Sequence, residues 1–188
     1  MRRRTLIIGG LFIAVLAWAM TREGPRPGRI PERGGAIPPR RAPAARDTSH
    51  AETLDVRLYF ATPGGDSLAG EMRAIESRPA LHERVESLIR ELARGPQQGG
   101  VSLLPAGTAV RHVYIDHHGL LTLDLTPAFR DFHGGSTAEY LTVGSVVRTL
   151  LANLPEAQRV MLTSGGEPLT TLGGHVDCDR AFAAGDLR

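Results

Sequence analysis

The tip of a predicted β-hairpin carries the first residues that could do chemistry, Asp116, His117 and His118. Carboxylate and imidazole groups are suitable ligands for a divalent metal ion. Adjacent residues on a strand point to opposite faces, however, so these three side chains would converge only in a distorted turn. Polar residues followed by Gly119 are also typical of an ordinary turn. The sequence therefore favours a turn, with metal binding as the less favoured alternative.

A second cluster, His175, Asp177, Cys178 and Asp179, lies close to the C-terminus. A Cys/His pair could act as a nucleophile, but this chemistry also needs an orienting group and a pocket of hydrogen-bond donors. Nothing elsewhere in the sequence supplies these, so we predict that His175 and Asp177 close the edge of the last strand through hydrogen bonds. Cys178 is the only cysteine, which excludes an intrachain disulfide and a zinc site built from several thiolates.

Two further patterns resemble catalytic motifs only weakly. Asp124 and Asp131 could form a carboxylate pair for acid–base chemistry, but Asp124 alternates with Leu123 and Leu125 and is predicted to face solvent. Ser164-Gly165-Gly166 follows a strand yet opens no helix, so it is predicted to be a turn and not a phosphate loop. We therefore predict no catalytic residues, no metal site and no cofactor. The remaining candidates for contacts are Asp116, His117, His118, His175 and Asp177.

A helix and a hairpin between residues 81 and 129 organise the rest of the chain. Apolar residues recur with helical spacing from Leu81 to Leu92, and Gly95-Pro96 ends the helix because proline cannot continue it. Residues 110–125 then alternate as two strands around a turn that ends in Gly119, where glycine accepts a positive φ angle. Helix and hairpin each have one apolar side, so each is expected to cover the other.

Strands and a second helix are predicted on both sides of this unit. Residues 55–60 and 68–76 alternate as strands, the second one less regularly. Ser77 is the predicted N-cap of the first helix. Ser136 and Glu139 have the spacing of a capping box, which predicts the start of the second helix.

The C-terminal part completes the predicted fold. Strands are expected at residues 159–163 and 169–172, and the tail, residues 178–188, is predicted to be loose. The resulting order, ββαββαββ, predicts an α+β fold in which two helices pack on one face of a small mixed sheet. The predicted folded domain spans residues 52–177.

The first 51 residues differ in composition from the rest. Arg2-Arg3-Arg4 precedes an apolar run from Thr5 to Met20, and about 16 residues give roughly 24 Å of helix, short for a hydrocarbon core of about 30 Å. Residues 1–20 are therefore predicted to be either an uncleaved signal anchor, hence a transmembrane helix, or a cleaved signal peptide. Residues 21–51 are rich in Pro, Arg and Gly, which predicts a disordered linker. It would serve as a tether or as a basic strip for anionic lipid or wall polymer.

Charge is unevenly distributed along the chain. Residues 1–51 contain ten arginines and three acidic residues, whereas residues 52–188 contain twelve arginines and seventeen acidic residues. The formal net charge of +2 therefore conceals a mildly acidic folded part. A nucleic-acid-binding domain is expected to present a basic face, so nucleic acid is not a predicted partner.

In order and spacing, these elements resemble the GerMN domain family of sporulation and spore-germination proteins. The resemblance covers nearly all of residues 55–177. It is carried by the strand VRLYF, the helix end LIRELARGP, the loop SLLPAGT, the hairpin VYIDHHGLLTLDLTPAF, the helix STAEYLTVGSVVRTLLANLP, the strand RVMLTSGG and the closing LGGHVD. The family has no assigned catalytic residues, so the resemblance implies none here.

The resemblance also implies a function and a location. It implies a bacterial module of the cell envelope, of the sporulation or germination type or related to the cell wall, that acts through protein–protein or cell-wall contacts. It implies a single-pass protein of the cytoplasmic membrane with its domain outside, on the periplasmic side, or an exported protein if the leader is cleaved. A small-ligand or peptidoglycan-fragment sensor, with a pocket between the second helix and the sheet, is the alternative, followed by a hydrolase.

Overall fold

The computed structural model describes residues 52–187. The predicted signal anchor or signal peptide (1–20) and the predicted linker (21–51) lie outside the described residues. Within 52–187, no helix has the length and apolar character needed to cross a membrane. The elements, in chain order, are β1 (Thr53–Ala61), β2 (Leu68–Glu76), α1 (Leu81–Arg94), β3 (Val110–Ile115), β4 (Leu120–Leu125), a 3-10 helix (Pro127–Arg130), α2 (Ser136–Asn153), β5 (Arg159–Ser164), β6 (Glu167–Pro168) and β7 (Phe182–Ala183).

The described strands form two sheets, whereas the sequence predicts one. β1 and β2 form an antiparallel ribbon in which Arg57 lies opposite Met72. The second sheet has the order β3-β4-β5-β6, and β6 and β7 pair with opposite ends of β5. It is mixed, because β4 and β5 run parallel while the other pairs are antiparallel. The predicted α+β class with two helices is confirmed, and the prediction of a single sheet is wrong.

Helix α2 accounts for the separation of the β1–β2 ribbon from the second sheet, because side chains of α2 form hydrogen bonds with the outer edge of β1. Asn153 Oδ1 accepts a hydrogen bond from the Arg57 N–H (2.9 Å), and Asn153 Nδ2 donates to the Arg57 carbonyl (2.8 Å). The Tyr59 N–H donates to Thr149 Oγ1 (3.1 Å), and Ser145 donates to the Tyr59 carbonyl (2.5 Å). The three helix positions are four residues apart and share one face. Backbone groups that a third strand would need are therefore already bonded, and the ribbon stays two-stranded.

Replacing Asn153 with alanine is expected to lower the free energy of unfolding by about 1–3 kcal/mol, because the Arg57 backbone loses both of its side-chain partners. Urea denaturation of the wild type and the variant measures the difference. The control is Gln158→Ala, which removes an exposed amide five residues further along and should change stability by less than about 0.5 kcal/mol. Equal effects of the two substitutions would show that the edge contact contributes nothing.

One apolar core joins both helices, the ribbon and the second sheet. Alternate residues of β4 supply Leu121, Leu123 and Leu125, all fully buried, as the predicted strand pattern requires. The predicted hairpin is confirmed, and Gly119 in its turn has a φ angle of 74°. The helices and β1 add Val56, Leu58, Phe60, Val85, Leu88, Leu92, Val143, Val147 and Leu150.

The C-terminal tail belongs to this core. Cys178, Phe182 and Leu187 are buried, and Phe182 in β7 lies opposite Val160 of β5. These apolar side chains bury surface that a free tail would leave in water. The predicted loose tail at residues 178–188 is therefore wrong for residues 178–187.

The two predicted helix caps are absent as well. Helix α1 begins at Leu81 after Ala80, and the Ser77 N–H bonds to the Glu52 carbonyl, which prolongs the β1–β2 ladder. Helix α2 begins at Ser136 after Gly135, which makes no side-chain cap hydrogen bond. The predicted capping box is wrong because Glu139 has other partners, described below.

Candidate functional site

The candidates at the hairpin tip, Asp116, His117 and His118, lie in a turn that is held by local hydrogen bonds. Asp116 Oδ1 accepts hydrogen bonds from the Leu120 N–H (2.9 Å) and the His118 N–H (2.8 Å). These bonds, that from Leu120 above all, lower the pKa of Asp116. The rings of His117 and His118 lie 3.9 Å apart. Within residues 52–187, no three or more His, Cys, Asp or Glu side chains are arranged to hold a metal ion.

The second cluster is organised by Glu139, whose side chain is fully buried. Its Oε1 accepts hydrogen bonds from the Thr171 hydroxyl (2.7 Å), the Leu172 N–H (3.0 Å) and the Gly173 N–H (2.8 Å). Its Oε2 accepts a hydrogen bond from the His175 N–H (2.8 Å) and lies 2.9 Å from His175 Nδ1. One carboxylate on α2 therefore holds the whole loop between Thr171 and His175.

This contact overturns two predictions. Residues 169–172 are not a strand, because the N–H of Leu172 and its neighbours bond to a carboxylate instead of to a sheet; the strand there is β6, Glu167–Pro168. His175 does not close a strand edge, since it pairs with Glu139. Burial alone would raise the pKa of Glu139, but the hydrogen bonds from Gly173, Thr171 and His175 lower it to about 2. The carboxylate is therefore ionised under all ordinary conditions.

Cys178 and Asp177 take no part in a catalytic arrangement with His175. Asp177 Oδ1 accepts a hydrogen bond from the Asp179 N–H (3.0 Å), which forms a local turn. The Cys178 thiol is buried, and burial, together with the charge of Glu139, raises its pKa to about 11. A thiol in this setting stays protonated at neutral pH and is a poor nucleophile.

Cys178 is therefore expected to resist thiol reagents in the native protein. Raising its pKa from 9.0 to about 11 reduces the thiolate fraction at pH 7 on the order of 100-fold, and burial slows the reaction further. Ellman's reagent should report one thiol per chain promptly in urea and almost none within the same time in buffer. Prompt labelling of the native protein would show that the tail opens readily.

Asp124 is buried, which corrects the prediction that it faces solvent. Arg111 pairs with its Oδ2 (2.8 Å), while the Thr163 hydroxyl (3.1 Å) and the Gly166 N–H (2.9 Å) donate to Oδ1. Asp131, the other member of the suggested acid–base pair, is exposed. The predicted turn at Ser164-Gly165-Gly166 is confirmed, and Gly166 has a φ angle of 85°. Asp124 therefore holds this turn against β4.

The ribbon has two unlike faces, and charged residues of β2 occupy the inner one. Arg73 is buried and pairs with Glu71 and with Glu91 on α1 (3.0 Å), and it donates to the Gly95 carbonyl (3.1 Å). Glu71 also accepts hydrogen bonds from the backbone N–H groups of Gln97 and Gln98. Burial raises the pKa of Glu71. The hydrogen bonds from Arg73 and from the two backbone N–H groups outweigh this effect and lower the pKa below its ordinary value. This ion network fastens the end of α1 and the following loop to β2.

A polar cleft of about 370 Å³ opens beside this network, between β2 and α1. Three guanidinium groups, those of Arg73, Arg90 and Arg94, line it. Two carboxylates, those of Glu76 and Glu91, also line it, and Glu91 pairs with both Arg73 and Arg94. The sequence-based alternative places a ligand pocket between the second helix and the sheet, whereas this cleft involves the first helix.

The outer face and edge of the ribbon are open. On this face Met72, in the middle of β2, is 53% exposed. Arg148 of α2 lies over the Tyr59 ring at 4.2 Å, which covers another part of this face. In the part of the chain that the structure describes, β2 pairs with no strand except β1. Among the described residues, the outer edge of β2 therefore carries no further strand, whereas side chains of α2 bond to the β1 edge.

Sequence reasoning missed three features of this arrangement, and one of them had a visible signal. Ser145, Thr149 and Asn153 recur every four residues among the apolar residues of α2, which indicates a polar stripe with a structural purpose. The partners of Glu139 and Arg73 come from distant segments and carry no such pattern. Fold and contacts together define a small two-sheet α+β domain in which buried carboxylates hold loops. An open strand edge at β2 and a cleft are among the accessible features of the described residues.

Comparison with known proteins identifies the family. A family model described as Germane, sporulation and spore germination, matches residues 57–170, which is more than half of the chain. The chain therefore belongs to the Germane (GerMN-type) family, and the resemblance predicted from the sequence is confirmed. No protein of curated function matches it.

Solved structures share the fold. The tandem GerMN domains of the sporulation protein GerM from Bacillus subtilis match with a TM-score of 0.56 and 21% identity, over 69% of this chain and 46% of theirs. The chain thus spans about half the length of that structure. The first GerMN domain of the same protein matches with a TM-score of 0.53 and 20% identity, over 69% of this chain and 98% of that domain. A candidate lipoprotein from Clostridium perfringens matches with a TM-score of 0.51 and 22% identity, over 72% of this chain and 90% of the lipoprotein chain.

Proposed function

We propose that this protein is a non-catalytic contact module of the bacterial cell envelope, with an assembly or regulatory role of the sporulation or germination type or related to the cell wall. The predicted leader at Thr5–Met20 would hold it in the cytoplasmic membrane with the domain outside, or would export it if cleaved. Membership of the Germane family supports this proposal, as do the fold matches to a sporulation protein and a candidate lipoprotein. Its partner would be an envelope protein or the wall.

The open edge of β2 is the observation that carries the proposal. A strand with one unpaired edge can accept a further strand, whose backbone hydrogen bonds supply affinity while side-chain contacts supply specificity. Met72 lies in the middle of this edge strand and is exposed. The residues next to it on the same face, Gly70 and Ala74, are small and also exposed. By contrast, the buried acids described above, Asp124 and Glu139, are already bonded to loops and strands.

Capture from solubilised envelopes tests the proposal. The full chain serves as bait, with Met72→Arg as the variant at the ribbon and Tyr114→Arg, at a side chain that is 67% exposed on β3, as the matched control. Wild type and Tyr114→Arg should capture the same envelope protein or wall fragment. Met72→Arg should capture at least about tenfold less, because it removes one side chain that would be buried in the contact. Equal capture by all three would contradict a contact function at this surface.

The cleft beside α1 supports a second candidate function, the binding of a carboxylate-bearing wall peptide. Arginine binds carboxylates through paired hydrogen bonds, and three arginines face this cleft. The double variant Arg90→Ala, Arg94→Ala leaves buried Arg73 in place. Calorimetry with purified wall peptides should show binding to the wild type and at least about tenfold weaker binding to the variant. No heat with the wild type would eliminate this candidate.

A further inference from the structure

The open edge of β2 has a sequence that is complementary to itself. β2 spans nine residues, Leu68–Glu76, and Met72 is its central residue. Two copies of one strand that pair antiparallel about a two-fold axis place residues on either side of the axis opposite each other. An axis at Met72 therefore sets Glu71 opposite Arg73 of the second copy, and Arg73 opposite Glu71 of the second copy.

Charge and overlap select the same register. Moving the axis to Glu71 would set two carboxylates opposite each other, and moving it to Arg73 would set two guanidinium groups opposite each other. Glu71 and Arg73 are already paired within each chain, so they add no new attraction between the copies. Like charges in directly opposite positions still destabilise a strand pair, and the axis at Met72 avoids them. Only the axis at Met72 lets all nine residues of both strands overlap.

The side chains on the outer face fit this pairing. The two copies of Met72 would lie side by side and cover each other, which removes from water a side chain that is 53% exposed in one copy. Gly70 would lie opposite Ala74 of the second copy, and both are exposed and small. β2 contains no proline and pairs with β1 without a bulge, so nothing in the strand itself blocks an added strand.

We propose that two copies of this chain join through β2 in antiparallel register, with the two-fold axis at Met72, to form a four-stranded sheet β1-β2-β2-β1. Helix α2 already closes the β1 edge, so the assembly ends at two subunits along this sheet. The inference rests on the proposed contact function and names a second copy as the partner.

Cysteine pairing in the full chain tests the register. A disulfide needs Cα atoms within about 7 Å, which the axis position meets. Met72→Cys should therefore form a disulfide-linked dimer under mild oxidation. The matched control is Ala74→Cys on the same face, whose two copies would be displaced by four residues, roughly 13 Å along the strands. It should couple with itself at least about tenfold more slowly. Native Cys178 is buried and serves as the common background.

Mixing two variants separates register from general proximity. Gly70→Cys and Ala74→Cys proteins, each inefficient alone, should couple to each other when mixed, since the proposed register sets these positions opposite. Thermal unfolding of each variant confirms that it is folded. Equal coupling of Met72→Cys and Ala74→Cys, no coupling at all, or a disulfide from position 72 to a different protein would each overturn the proposal.

Different experimental outcomes would contradict the proposed contact function and the proposed self-pairing. If Met72→Arg loses an envelope partner while Met72→Cys does not couple with itself, the contact function stands and self-pairing is wrong. If Met72→Cys couples with itself while Met72→Arg captures as well as the wild type, self-pairing stands and the envelope contact at this surface is wrong.

Discussion

Replacing Glu139 with glutamine is expected to lower the free energy of unfolding by about 3 kcal/mol. The carboxylate accepts hydrogen bonds from three backbone N–H groups, those of Leu172, Gly173 and His175, and from the Thr171 hydroxyl. Glutamine keeps the shape but replaces one acceptor oxygen with a donor, so donors of the loop lose a partner in a buried position. Urea denaturation of both proteins measures the difference.

Glu86→Gln is the matched control for this substitution. Glu86 lies on α1 with its side chain about half exposed and is 3.9 Å from Arg90, so its loss should change stability by less than about 1 kcal/mol. A large effect at Glu139 and a small one at Glu86 would show that burial and hydrogen bonding, not charge alone, stabilise the loop. Similar effects at both positions would contradict this account of Glu139.

The pH dependence of stability provides an independent check on Glu139. Its pKa is about 2 in the folded chain, against an ordinary value of 4.5, so the unfolded chain takes up the proton first as the pH falls. The stabilisation is therefore complete above the ordinary value and is lost as the pH falls towards the folded value. Its size is about 3 kcal/mol for a shift of this extent. The Glu139→Gln variant should lack this part of the acid dependence when denaturation is repeated across that range.

Replacing Arg73 with methionine is expected to cost about 3–5 kcal/mol, because it leaves buried Glu71 and Glu91 without their cation. The variant also loses the hydrogen bond to the Gly95 carbonyl and the position of the guanidinium 5.5 Å from the centre of the Phe60 ring. Chemical denaturation measures the loss. Methionine keeps the apolar stem of arginine but lacks the guanidinium group, so most of the effect would come from the lost charge and hydrogen bonds.

The nearby pair Arg78–Glu76 is the control for the Arg73 substitution. It has a similar ion pair at 2.6 Å, but both side chains are about half exposed, and exposed pairs contribute about 0–1 kcal/mol. Arg78→Met should therefore leave stability nearly unchanged. If Arg73→Met were equally harmless, the buried network would not be what fastens α1 to the ribbon.

Local patterns in the sequence were sufficient for the hairpin and for the main helices. Alternation fixed the buried face of β4, and the residue type at Gly119 marked the turn, since both depend only on neighbours along the chain. The same local reasoning placed Asp124 in solvent, and this was wrong. Its partners, Arg111 and Thr163, come from neighbouring strands, and strand pairing cannot be read from alternation alone.

Long-range contacts account for the other errors. Glu139 has the spacing of a helix cap, but tertiary contacts with a loop more than 30 residues away are stronger than a local cap. The tail contains few apolar residues, yet Phe182 and Leu187 are placed where they complete the core. The division into two sheets depends on Asn153 reaching β1 across 96 residues, which no periodicity reveals.

The most direct test of the account is photo-crosslinking from position 72 of the full chain in intact envelopes, compared with position 83, an exposed residue of α1. A contact surface at the β2 edge predicts a discrete protein adduct, a second copy included, from position 72 and none from position 83. No adduct from position 72, or the same adducts from both positions, would contradict the claim that this protein works through the open edge of its ribbon.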